Sequence, residues 1–296
     1  RLLRLDPPPM ARSTAAALLL LAAGRPSAAF DPADALMMAR LEQAVYCGKS
    51  RFERWDVGDS ILSGPKVDSA RLRYVRHNVT DAAAGVGRMR EPQGCFVAIK
   101  GTTGAVDSLL DALFWFVDFG RADCKGCKVE KGFSAYYESI KQGIFAALKE
   151  FGCQDEPLYL VGHSLGAAGL TYHLYDLLVA GYKVKRMYAL ESPRPGNKAF
   201  VDALAAKAAG VDAWRVAHYQ DVVVHLPPRL PMLPFTHALP EVYFPNRTGT
   251  AFRTCGREDA SCSDRWLPWH LTGQDHCWYA DLNPCGCSNS THTPPA

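Results

Sequence analysis

Gly162-His163-Ser164-Leu165-Gly166 is where residue type and spacing point most directly to covalent chemistry. It fits G-x-S-x-G, a pattern that arises by chance in roughly one chain in ten at ordinary residue frequencies, so its surroundings decide its weight. Just before it, Leu158 to Val161 is a short apolar run of the buried-strand type. Just after it, Leu170, Leu174, Leu177 and Leu178 recur at helical spacing. A strand, a sharp turn and a helix are what a nucleophile elbow requires. The glycines permit a strained backbone and close approach of helix to strand, leaving the Ser164 hydroxyl exposed above the free N–H groups of the helix N-terminus. The Leu165 N–H is then aimed where an oxyanion would form. The pattern predicts Ser164 as a nucleophile.

A serine hydroxyl attacks poorly until a histidine accepts its proton, and that histidine needs an acid to hold its tautomer. In the α/β-hydrolase order the acid and then the histidine follow the serine. Asp221 comes directly after the strand pattern Trp214 to His218 and is the expected acid. Asp212 precedes that strand and Glu241 lies past the following loop. Five histidines lie beyond Asp221. His225 is too near in sequence to swing back, His292 sits in the tail, and His237 reads as structural. His276, in Gln274-Asp275-His276-Cys277-Trp278-Tyr279, is preferred to His270 as the base. No metal or organic cofactor is expected, since zinc needs clustered ligands and His163-x9-His173 is not such a pair.

The elements that must position these groups alternate. Helical patterns run from Ala33 to about Cys47, Gly132 to Phe151, Ser164 to Val179 and Asn197 to Ala208. Strand patterns run over Arg71–Val79, Cys95–Ile99, Leu113–Val117, Leu158–Val161, Val184–Leu190 and Trp214–His218, with a hairpin over 241–254. Strands alternating with helices predict an α/β fold, a mostly parallel central sheet flanked by helices. There is no repeat or linker, so residues 30–296 read as one domain.

The 296 residues are 48% hydrophobic and 21% charged, an ordinary globular composition. Lys plus Arg is 33 against 30 Asp plus Glu, and a net charge of +3 gives no electrostatic case for nucleic acid. The longest apolar run, Ala15 to Ala23, is too short for a transmembrane helix, which needs about 20 residues. It follows Met10-Ala11-Arg12 and precedes Ser27-Ala28-Ala29, as in a secretory signal peptide cleaved near Ala29. Residues 1–29 are thus expected to be that peptide and a leader, and the protein to be secreted. Ten cysteines and three N-x-S/T sequons, at Asn78, Asn246 and Asn289, suit an oxidising compartment. Cys124 and Cys127, in a C-x-x-C without a second ligand pair, read as a local disulfide.

Taken together, these motifs resemble the class 3 lipase family of secreted α/β-hydrolases, typified by filamentous-fungal triacylglycerol lipases, over roughly residues 33–287. Ile99-Lys100-Gly101-Thr102-Thr103 is similar to the family's F-R-G-T/S loop, Val129-Glu130-Lys131-Gly132-Phe133 to V-H-x-G-F, and residues 162–168 to G-H-S-L-G-G-A. Ser192-Pro193-Arg194-Pro195-Gly196-Asn197 is similar to S-P-R-V-G-N, and residues 237–243 to H-x-x-x-E-V-W/Y. The resemblance implies a triad of Ser164, Asp221 and His276, oxyanion donors at Thr102 and Leu165, and a lid between Gly104 and Asp111. The lid's Ala105, Val106, Leu109 and Leu110 would hide an apolar face that opens against lipid, with Gly104 as hinge. Phe114, Trp115 and Phe116 are expected in the core rather than at an acyl site. The resemblance also implies disulfides between Cys255 and Cys262 and between Cys47 and either Cys287 or Cys285; Cys95, Cys153 and Cys277 stay unassigned.

Four positions depart from the family's pattern: Lys100 for arginine, Glu130 for histidine, Ala167 for glycine and Glu191 for the glycine before S-P-R. None removes a catalytic group. The expectation is a monomeric serine hydrolase of lipid carboxylic esters, above all triacylglycerols, acting at a lipid–water interface. Phospholipase A1, a feruloyl-type esterase and an inactive lipase-like lipid-binding protein are the alternatives.

Overall fold

The computed structural model describes residues 29–287 except 103, 278, 280 and 281, and not the side chains of Ser60, Ala105 and Ser108. The expected leader and signal peptide, apart from Ala29, and the sequon at Asn289 lie outside the described residues.

The chain runs α1 (Pro32–Val45), α2 (Lys49–Arg54), α3 (Asp59–Leu62), β1 (Lys66–Arg76), β2 (Ala83–Glu91), β3 (Gln93–Ile99), α4 (Ala105–Leu110), β4 (Phe116–Asp118) and β5 (Lys128–Glu130). It continues α5 (Lys131–Glu150), β6 (Leu158–His163), α6 (Ser164–Val179), β7 (Val184–Leu190), α7 (Lys198–Lys207), β8 (Asp212–His218), β9 (Arg229–Leu230), β10 (Leu233–Pro234), β11 (Glu241–Phe244) and β12 (Arg253–Cys255). Eight strands form one sheet in the order β1-β2-β3-β6-β7-β8-β11-β12. The five from β3 to β11 are parallel, and antiparallel strands flank them on both sides. The fold is therefore the expected α/β-hydrolase type, with a mostly parallel sheet between helices.

Alternation along the central strands builds two cores. Leu158 and Leu160 of β6 and Met187 and Ala189 of β7 face α5, α6 and α7. Tyr159, Val161, Tyr188 and Leu190 face α1 instead. Helix α6 lies against the sheet and is buried almost all round. Helix α1 starts where Asp31 accepts from the Ala33 and Asp34 N–H groups at 3.0 and 3.2 Å, ahead of Pro32.

Strand β2 is absent from the sequence expectations, because Ala83-Ala84-Gly85-Val86-Gly87 has weak strand character. Packing explains it. A side chain at Gly85 would run into the Phe52 ring, and one at Gly87 into Leu72 and Phe96. Strand β1 begins earlier and ends earlier than expected, since His77 to Asp81 forms a turn with Asp81 at φ 51° and Val79 in solvent. The strand expected over Leu113–Val117 shrinks to β4, because Leu113 and Trp115 face outward.

Ten cysteines form five disulfides: Cys47–Cys287, Cys95–Cys153, Cys124–Cys127, Cys255–Cys262 and Cys277–Cys285. The partner of Cys47 is thus Cys287, and Cys285 pairs with Cys277 instead. Among the described residues no helix is long and apolar enough to cross a membrane.

Glu42 on α1 is wholly buried, and neither carboxylate oxygen has a hydrogen-bond partner among the described residues. Burial holds its carboxyl well above the usual carboxylate range, only partly offset by nearby Lys100. A carboxyl whose folded pKa is raised contributes full stability below its unfolded pKa and loses it as pH rises toward the folded value. Glu42→Gln mimics the protonated form. We expect thermal melts of this variant to match the parent at pH 4 and to exceed it by at least about 2 °C at pH 8. Coincident melts at both pH values would contradict the burial argument.

Candidate active site

Ser164 stands at the junction of β6 and α6 with φ 55°, the left-handed region that a side chain rarely occupies. Such strain persists only where the surroundings impose it. Here Gly166 lets the start of α6 lie against the end of β3, since a Cβ at 166 would collide with the Lys100 carbonyl. That contact brings Gly101, just past β3, against Ser164, and the next residue, Thr102, lines one cavity with Leu165. The loop is braced from below: the Tyr136 hydroxyl donates to the Lys100 carbonyl at 2.6 Å, and the Gly101 N–H donates to the Tyr46 hydroxyl at 2.9 Å.

Asp221 and His276 are brought together from positions 55 residues apart. His276 Nδ1 lies 3.0 Å from Asp221 Oδ2, and both side chains are fully buried. Asp221 Oδ1 also accepts from the Val223 N–H at 2.8 Å, which fixes the carboxylate's rotamer. An ionised Asp221 puts the imidazole proton on Nδ1 and leaves Nε2 as a proton acceptor. The backbone ties the two segments: Thr272 N–H donates to Gln220 O at 2.9 Å and Val222 N–H to Thr272 O at 3.3 Å. Buried Asp275 adds an ion pair with Arg247 at 2.9 Å, and the Cys277–Cys285 disulfide closes the loop behind His276.

The competing candidates are engaged elsewhere. Asp212 lies 3.6 Å from Arg186, and buried Glu241 lies 2.6 Å from Arg215. His237 Nε2 donates to the Val224 carbonyl at 2.9 Å, and burial, then Arg215, hold its pKa well below the usual histidine range. His225 is pushed down to about 4 by burial and Arg194, and His270 is exposed.

His163, the second residue of the elbow motif, joins the two halves of the site. Its Nε2 lies 2.7 Å from Glu191 Oε2 and 3.0 Å from the His276 carbonyl, both acceptors, so Nε2 carries the hydrogen. Its Nδ1 accepts from the Tyr46 hydroxyl at 3.3 Å. Burial, followed by the neighbouring His276 charge, holds its pKa well below the usual value, so His163 stays neutral. A directed chain of hydrogen bonds therefore runs from the Gly101 N–H through Tyr46 and His163 to the loop of His276. Nitrogen or oxygen atoms of His163, Glu191 and His276 lie within 4.8 Å of one another. A cation there would have to displace the protons on His163 Nε2 and His276 Nδ1, so the trio reads as a hydrogen-bond network. Tyr46, Asp275 and Arg247 carried no motif that would mark them in the sequence; Glu191 was visible only as a departure.

Three buried side-chain atoms at this site, Ser164 Oγ, His276 Nε2 and Thr102 Oγ1, have no hydrogen-bond partner among the described residues. At Thr102 and Leu165 opens a cavity of about 520 Å³, lined also by Leu109, Phe114, Trp115 and Phe133, among others. Phe114 lines the pocket while packing on the core, edge-to-face with Phe133, whereas Trp115, largely exposed, departs from the expected core packing; Phe116 stacks on Phe235 at 3.9 Å. Helix α4 follows Gly104, which has φ 74°. Val106 sits 2.5 Å from where a Cβ on Gly273 would be, so α4 rests on the segment carrying His276. Leu109 turns inward, while Leu110 is 53% exposed and does not share the hidden face expected of it. Leu110 instead joins Leu113, 81% exposed, and Trp115, 56% exposed, in an outward apolar rim.

Comparison with known proteins agrees with this fold. Residues 96–230 match the family model described as Lipase (class 3). The secreted mono- and diacylglycerol lipase A of Penicillium cyclopium is 31% identical over 212 residues, 68% of this chain and 67% of that protein. Among solved structures, lipase II from Rhizopus niveus superposes with a TM-score of 0.74 at 22% identity, covering 86% of this chain and 96% of that one. The Rhizomucor miehei lipase–propeptide complex gives 0.73 at 22% identity, covering 86% and 82%. The chain belongs to the class 3 lipase family, a family of serine carboxylic ester hydrolases.

Removing Arg247 would leave Asp275 a buried carboxylate without its cation, in the residue before His276. Arg247→Leu should cost about 2–3 kcal/mol in urea unfolding, less than a fully buried pair because Arg247 is 30% exposed. A loss under about 0.5 kcal/mol would show that the ion pair does not hold this loop.

Proposed function

We propose that this protein is a secreted lipase that cleaves carboxylic esters of acylglycerols through an acyl-enzyme on Ser164. His276 Nε2 takes the Ser164 proton as the hydroxyl oxygen attacks the ester carbonyl. Asp221 holds the other ring proton and faces the imidazolium that results. The Leu165 N–H, with the Thr102 N–H and hydroxyl, receives the oxyanion. His276 then returns the proton to the leaving alcohol. It next activates water, which releases the acid. The observation that carries the reading is the Asp221–His276 hydrogen bond at 3.0 Å, tied through His163 to the strained Ser164, with Ser164 Oγ, His276 Nε2 and Thr102 Oγ1 all buried and without a hydrogen-bond partner among the described residues.

Lipid as the substrate class is supported by the apolar cavity and by α4, which covers the site while Leu110, Leu113 and Trp115 face outward toward a surface. All the reacting groups come from one chain, which suits a monomer. Secretion is supported by five disulfides, by exposed sequons at Asn78 and Asn246, and by relatives that are themselves named secreted. Triacylglycerol is the first reading. Mono- and diacylglycerols are a second one, favoured by the name of the Penicillium relative.

Ser164→Ala should abolish labelling by a fluorophosphonate and lower kcat on a soluble ester by about 10⁴-fold or more. Equal labelling of parent and variant would remove Ser164 from this role and favour a lipid-binding protein without turnover. Activity on tributyrin should jump as the ester passes its solubility limit, reporting opening of α4. A smooth saturation curve through that limit would contradict a lid. Parallel rates on phosphatidylcholine and methyl ferulate test the phospholipase and feruloyl-esterase alternatives; either one exceeding the acylglycerol rate would displace the lipid class named here.

A further inference from the structure

Glu191 follows β7 and occupies the site at two structural costs. Its backbone lies in the left-handed region, φ 51°, where glycine is the comfortable residue. Its side chain is 1% exposed, so a carboxylate is held out of water. Both costs fall one contact away from the imidazole that is proposed to move the proton. Glu191 Oε2 accepts from His163 Nε2–H at 2.7 Å and lies 3.7 Å from His276 Nδ1. Asp221 Oδ2 lies 3.0 Å from the same nitrogen. Two acidic side chains therefore flank a single ring nitrogen.

We propose that Glu191 is a second acid for His276, a positioning residue that shares the imidazolium with Asp221. The proposal rests on the reading of Ser164, Asp221 and His276 given above. At 3.7 Å Glu191 makes no hydrogen bond to Nδ1, so Asp221 remains the primary partner. With Nε2 free to accept a proton, the His276 ring attracts Glu191 only weakly; the glutamate is held by His163 Nε2–H. When the proton passes from Ser164 Oγ to His276 Nε2, the ring becomes a cation and the attraction to both carboxylates rises. A contact that strengthens only as charge develops lowers the barrier rather than merely tightening substrate binding. Glu191 itself gains and loses no proton. With Asp221 removed, a small rotation of the imidazole brings Nδ1–H to Glu191 Oε2, which then becomes the remaining acceptor. Tyr46 and His163 hold the glutamate in place for this through the chain that begins at Gly101.

The test uses the full chain with p-nitrophenyl butyrate as substrate. Glu191→Gln and Glu191→Gly are each made alone and in an Asp221→Ala background. Glycine suits the left-handed backbone, so Glu191→Gly should melt no lower than the parent and separates charge loss from misfolding. In the parent background each change should lower kcat about tenfold with KM within about twofold. In the Asp221→Ala background the same changes should cost a further hundredfold or so, because no carboxylate then faces Nδ1. The same factor in both backgrounds, or no loss in either, overturns the proposal while leaving the triad standing. A Ser164→Ala chain as active as the parent would instead overturn the reading of the site, and this role with it.

Discussion

The hydrogen bond between Asp221 and His276 is the contact on which the rest of the site depends. It sets which ring nitrogen carries a proton and therefore which one faces the serine. Asp221 hangs just past β8 and His276 lies 55 residues on, in a segment with little regular structure. Nothing local would hold that segment at the sheet. The fold supplies the restraint from several directions: Thr272 against the Asp221 turn, Arg247 on Asp275, two disulfides over the C-terminal residues, and α4 pressing on Gly273.

Other parts of the molecule make sense as counterweights to a site that is costly to fold. Ser164 and Glu191 sit in left-handed backbone, and buried Ser164 Oγ, His276 Nε2 and Thr102 Oγ1 have no hydrogen-bond partner among the described residues. Each such feature costs on the order of 1–3 kcal/mol. Two apolar cores, one on each face of the eight-stranded sheet, offset that cost, and α6 is gripped on nearly every side so that the elbow cannot relax. The linkage of Cys47 to Cys287 closes a loop so long that the chain-entropy model assigns it roughly 5 kcal/mol.

Much of this was legible in the residues themselves, for identifiable reasons. The elbow could be read because strand, turn glycines and helix periodicity coincide within twenty residues. The parallel strands from β6 to β8 could be read because each carries a buried, largely apolar run, as in Leu158–Val161 and Met187–Leu190. Strand β2 was illegible because its small residues answer to Phe52, which is distant in sequence. Leu110 and Trp115 were misplaced because helix or strand patterning alone does not say which apolar face meets solvent near a pocket. Tyr46 and Arg247 belong to the site only through contacts made across the fold, so no spacing could announce them. The Cys277–Cys285 pairing likewise needed the geometry of the loop behind His276.

The most direct measurement of the central claim is the protonation of His276 by ¹H–¹⁵N NMR of the histidine side chains in the parent, Asp221→Ala and His276→Ala chains. A strongly downfield ring proton attached to Nδ1, with Nε2 unprotonated at neutral pH, is the predicted result, and the resonance should vanish in His276→Ala. A proton found on Nε2, or a His276 spectrum unchanged by loss of Asp221, would contradict the account.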